Sequence, residues 1–302
     1  MSNTVSRPGF LKALGVTVLF AACTPVEVPV NDATVAVADT GRVVAKVLYQ
    51  MPTPNELFHV VRTMSGEGQK RMMNPAGNLV HYNTTPKRAL NFGVYATDLA
   101  YASSFQLSSE VARYFMTCKT LGGDLGLAGS FNGGDLARLE RNLANGDSLD
   151  VISDEAYLAS YRRLQENEMG PVLSLVLAGG WVESMHLVAH DMPHFDPEDP
   201  LIMTLAEQKA SLNHLIDLMG AYPTDPVVLN IQSRLLAIRD IYDTFPVVRS
   251  AHVGASPSGR PILGDDVKVV MSAEGYLLLK NALEELREDI VRPEDKKALP
   301  NA

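Results

Sequence analysis

The chain has 302 residues, 46% of them hydrophobic, with 35 acidic side chains against 26 basic ones and a formal net charge of −9. That composition supplies ample material for a core, while the acidic balance repels phosphate backbones, so nucleic acid is not an expected partner. The length is compatible with one large domain or two.

Near the start, Arg7 and Lys12 are followed by the uncharged apolar run Ala13 to Ala22, whose end together with Cys23 reads Phe20-Ala21-Ala22-Cys23. This is the tripartite build of a secretory signal. An apolar core of about ten residues is too short to span hydrocarbon, which needs ~20. Because the small residues end on cysteine, the stretch resembles the lipobox of bacterial lipoproteins. The resemblance implies that residues 1–22 are removed as a signal peptide, that Cys23 carries the lipid, and that the mature chain has a net charge of −11, since the lost segment holds two cations and no acid. With Cys23 acylated, Cys118 has no partner for a disulfide, and packing alone must hold the fold. Thr24 in place of Asp resembles the outer-membrane-directed class, which implies a lipid-anchored protein on the periplasmic face of the outer membrane.

Residues 23–52, rich in Val, Ala, Thr and Pro, are expected to form a tether, and 53–302 a helical domain. Thr53-Pro54-Asn55-Glu56 carries the signals of a helix start, and a long Gly- and Asn-rich connection follows over Ser65 to Asn83. From Thr85-Pro86 to Phe105 the chain is apolar on nearly every side, which predicts a buried helix. Its one acid, Asp98, must find a partner there, expected to be a tyrosine hydroxyl, an arginine or a helix N-terminus. The segment Ala89 to Ala102, together with Pro54 to Phe58, looks like a group of uncharacterised helical lipoproteins from Bacteroidota; the likeness implies fold and address and brings no activity with it.

Further helices are expected over Ser108–Leu121, Asp135–Asn145 and Ser153–Glu168, the first enclosing Cys118 as a buried apolar residue. The glycine-rich Gly122 to Gly129 lacks the Gly-Lys-Ser/Thr and the preceding strand of a phosphate loop and reads as a helix stop. Gly170 to His190 predicts a second buried helix, in which Gly179-Gly180-Trp181 echoes Gly93-Val94-Tyr95 of the first. The echo raises two similar halves, with a boundary near 122–135 or 146–152. Asp199-Pro200 and Asp225-Pro226 open two long helices expected to pair as an antiparallel hairpin. Val247-Val248 and Val267 to Val270 predict a small β-hairpin, and Ser272 caps the last helix. The expected fold is all-α, a multi-helix array around two buried helices with that hairpin near the C-terminus.

One cluster carries chemistry. Glu183, His186 and His190 fall on one helix face, with His194 and Asp196 in the loop beyond. A carboxylate and two imidazoles at this spacing suit zinc or iron. Glu56-x-x-His59 and Glu183-x-x-His186 share the motif of ferritin-like di-iron bundles, but the lone glutamates those bundles need on two further helices are missing. No Gly-x-Ser-x-Gly, His-Glu-x-x-His or Cys-His arrangement is present. The expected function is therefore non-enzymatic and without a cofactor: a membrane-anchored, periplasm-facing lipoprotein that binds a protein partner or serves as an accessory subunit of an envelope assembly. The alternatives are a metal-binding protein or metal-dependent enzyme using Glu183, His186 and His190, and a small-ligand receptor with a pocket lined by Tyr95, Tyr101 and Trp181.

Overall fold

The computed structural model describes residues 70–130, 146–192, 194–255 and 261–294, with a few helical positions between 134 and 141. Cys23, Glu56 and His59, with the expected signal peptide, tether and first helix, lie outside the described residues.

Among the described residues the chain is all-α apart from one hairpin. The helices are α1 (Thr85–Ser104), α2 (Ser108–Asp124), α3 (Gly146–Glu166), α4 (Gly170–Asp191), α5 (Pro200–Glu207), α6 (Lys209–Met219), α7 (Pro226–Asp243) and α8 (Ala273–Val291). Strands β1 (Val247–Ala255) and β2 (Pro261–Val269) pair antiparallel, with Val247 opposite Val269 and Ala255 opposite Pro261. Short 3₁₀ turns at Lys70–Met72 and Ala76–His81 precede α1.

The two buried helices form the centre, and α1 and α4 pack against each other more extensively than any other pair. Their closeness comes from glycine. A Cβ on Gly93 would lie 2.0 Å from the Val176 carbonyl oxygen, and one on Gly179 would lie 2.0 Å from that of Leu90. The two backbones therefore touch where the sequence shows its Gly-containing echo, and no other residue fits at either position. Thr97 Oγ1 donates to Gly180 O across the same contact at 3.2 Å. Helix α4 is long and apolar enough to cross a membrane, yet most of it is buried within the helical body.

Around this pair, α2 and α3 pack on α1, while α8 packs on α4 and α7 links α6 to α8. Contacts from Gln232 Nε2 to Ile216 O at 2.9 Å and from Tyr242 Oη to Leu205 O at 2.9 Å run in opposite chain directions, so α5–α6 and α7 form the expected antiparallel hairpin. The expected single helix over 199–219 is interrupted once. At Gln208 the backbone N–H bonds to Leu205 O, three residues back, which tightens the turn and restarts the helix as α6. Helix α3 begins at Gly146, seven residues before Ser153, because the Gly-Asp-Ser stretch that reads as a connection also suits a first helical turn.

Caps divide into local and distant. Asp199 accepts from Leu201 N, Asp225 from Val227 N and Val228 N, and Ser272 from Gly275 N, as their positions before each helix imply. The start of α1 is capped from far away instead. The Glu294 carboxylate accepts from the backbone N–H groups of Asn83 and Thr84 and from Thr84 Oγ1, closing the C-terminal stretch onto α1. Burial works against that charge, but these donors outweigh it and hold Glu294 below the usual carboxylate range. Helix α2 has no side-chain cap, and Ser109 Oγ donates to Glu110 Oε1 at 3.4 Å. Cys118 is buried, and burial pushes its thiol up, away from the reactive thiolate.

Candidate metal centre

Charged groups reach the core at the C-terminal half of α4, where it faces α8. Glu183, His186 and His190 lie along one side of α4, and Glu284 and Arg287, one turn apart on α8, meet them. The backbone of Met72 to Pro75 covers the junction.

Glu183 is fully buried. Its Oε2 accepts from Arg287 Nε at 2.7 Å and its Oε1 from Arg287 Nη2 at 2.8 Å, a bidentate pair. Arg287 Nη2 also donates to Met72 O at 3.1 Å. Burial disfavours the guanidinium charge, and the Glu183 carboxylate more than offsets this, so Arg287 stays charged. Glu183 is thus committed to Arg287 and does not turn towards the imidazoles.

The third group beside the two imidazoles is Glu284. Its Oε2 lies 2.7 Å from His186 Nδ1 and 3.7 Å from His190 Nε2, and the two rings are 4.2 Å apart between centroids. One ligand-type atom from each of the three residues lies within 4.8 Å of the others. The far nitrogen of each ring has a backbone acceptor: His186 Nε2 meets Met72 O at 3.2 Å and His190 Nδ1 meets His186 O at 3.0 Å. An N–H on those nitrogens fixes each tautomer and leaves His186 Nδ1 and His190 Nε2 as lone-pair donors, the arrangement by which metal-binding histidines are oriented. The His186 hydrogen bond holds Glu284 below the usual carboxylate range against the opposing effect of burial. Burial, then the neighbouring His186, pushes His190 down towards the neutral form that a metal needs.

His194 and Asp196 do not join the group. Both are exposed beyond α4, and Asp196 accepts from the Glu198 backbone N–H at 3.0 Å in a local turn. The receptor residues Tyr95, Tyr101 and Trp181 are packed in the core.

Asp98 completes the polar layer from α1. It is fully buried, and its Oδ2 accepts from the Asn74 backbone N–H at 3.1 Å, none of the three partners its position in the sequence suggested. Its Oδ1 has no donor, and the Glu183 carboxylate lies beside it. Burial first, then the charge of Glu183, pushes Asp98 well above the usual carboxylate range. Two acceptors side by side need one proton between them, which Asp98 holds, while Glu183 faces the Arg287 guanidinium.

These groups together grip the chain before α1. Tyr114 Oη donates to Asn74 O at 2.8 Å and Tyr95 Oη to Pro75 O at 3.0 Å, so side chains from α1, α2, α4 and α8 all end on the backbone of residues 72–75. A cavity of about 420 Å³ lies against this segment, walled by Met72, Met73 and Pro75 with Arg71, His186, His190, Glu284 and Arg287.

Glu284 and Arg287 have no visible role in the sequence, where they read as solvated positions of a charged helix. One signal was available for Arg287: it stands four residues after Leu283 and three before Ile290, on the buried stripe of α8. No protein-family model, curated protein or solved structure matches this chain.

Proposed function

We propose that this protein binds one divalent metal ion, zinc or ferrous iron, through His186, His190 and Glu284, on a helical body tethered to the cell envelope by lipid at Cys23. The observation that carries the metal reading is the pairing of each far ring nitrogen with a backbone carbonyl, which leaves two imidazole lone pairs and one carboxylate converging on a cavity wall. Two histidines and one carboxylate with open positions are a donor set used by both ions. The address rests on the tripartite signal ending at Cys23. That address is compatible with a role as a binding or accessory subunit.

Metal analysis of the purified protein tests the reading. About one equivalent of ion is expected in the wild type and a large loss in His190→Ala, whose side chain is half-buried and ends in the cavity. Wild type without stoichiometric ion after exposure to zinc or ferrous iron would end it. The group would then serve only as a clamp on Met72. Incorporation of labelled palmitate, lost in Cys23→Ala, tests the anchor separately.

A further inference from the structure

The cavity in front of the proposed ion also holds two guanidinium groups, Arg71 at its exposed mouth and Arg287 on its inner wall. Arg287 uses Nε and Nη2 on Glu183 and Met72, which leaves the protons of Nη1 without a bond to any described residue. Glu183 fixes the guanidinium plane from behind, so Nη1 is held rigidly rather than on a free side chain. His186 and Arg287 both reach the same Met72 oxygen, at 3.2 and 3.1 Å, which puts the metal ligand and the arginine side by side.

Charge and coordination then point the same way. With a divalent ion bound and both imidazoles neutral, the ion and Arg287 outweigh Glu183 and Glu284 by one charge, and the neutral Asp98 adds nothing. Three protein ligands leave at least one position on the ion open. A volume of about 420 Å³ lies in the range of small-molecule sites.

We propose that the loaded site binds a small oxyanion, a carboxylate or a phosphate, with one oxygen on the ion and another accepting from Arg287 Nη1, while Arg71 attracts it at the mouth. This rests on the metal reading and adds to it the chemical class of the ligand. A planar guanidinium edge beside a metal matches two oxygens of one anionic group.

Cobalt(II) is the probe, since its visible spectrum reports on its ligands. The full-length protein, metal-free and cobalt-loaded, is titrated with inorganic phosphate and, in a separate arm, with acetate. Saturable change in the cobalt spectrum is expected with at least one anion, and the arm with the tighter binding tells phosphate from carboxylate. Arg71→Ala should weaken that binding about fivefold and leave cobalt affinity unchanged. Cobalt that binds but whose spectrum neither anion alters would overturn the oxyanion site and leave the metal reading standing. Failure to bind cobalt or zinc would remove both. Equal anion affinity with and without the ion would also overturn the proposal.

Discussion

The two halves of α4 meet their neighbours by opposite means. Its first half lies against α1 with no side chain between the backbones at Gly93 and Gly179, in an apolar setting. Its second half meets α8 through the Glu183–Arg287 ion pair and through two imidazoles on Glu284. In the first region specificity comes from shape, because any added atom collides. In the second it comes from pairing, because every buried charge depends on one named partner. The difference shows why a helix long and apolar enough to cross a membrane can also carry the candidate chemistry.

Removing a single partner from the charged region should have the largest effect. Glu183→Ala leaves Arg287 buried without its counter-charge and is expected to cost about 3–5 kcal/mol in denaturant unfolding. In the glycine contact, Gly93→Ala forces the α1 and α4 backbones apart and should cost about 3 kcal/mol. A loss below about 1 kcal/mol there would mean that the helices are not in backbone contact. Glu284→Gln, at a half-exposed position, should cost no more than about 1 kcal/mol while lowering metal affinity strongly, which separates binding from stability.

Asp98 sharpens the comparison through pH. Its folded-state proton affinity is raised, so between its unfolded pKa near 3.9 and its higher folded value the native state holds more protons than the unfolded state, and stability falls as pH rises through that window. Asp98→Asn keeps the acceptor for Asn74 and supplies a permanent donor to Glu183. It should change stability by about 1 kcal/mol or less near neutrality and flatten that slope in pH-dependent unfolding. An unaltered slope would mean that Asp98 is ionised in the fold. His190 contributes with the opposite sign: its folded pKa is lowered, so the stability it supports is full above about 6.5 and is lost as pH falls from there through the lower folded value.

Much of the fold was readable because it rests on local signals. Asp199, Asp225 and Ser272 cap the helices they precede, and the apolar runs of α1 and α4 bury as their patterns imply. The rest depends on long-range meetings that no local pattern encodes. Glu294 caps α1 from the far end of the described chain, and Arg287 reaches Glu183 across 104 positions. The candidate site was half visible for the same reason. His186 and His190 are one helical turn apart and announce themselves, whereas Glu284 arrives from another helix. Glu183, one turn before His186, points to the arginine that α8 supplies. The Met72 carbonyl that orients His186 could not be foreseen, because a backbone oxygen carries no sequence signal.

The central claim is that Glu284 joins the two histidines while Glu183 stays with Arg287. Zinc affinity, measured by chelator competition at neutral pH on folded wild type and Glu284→Gln, tests it most directly. The account predicts one site in the wild type and at least about 100-fold weaker binding in the variant, with its melting temperature little changed. Equal affinity in the two proteins, or no zinc site in either, would contradict it.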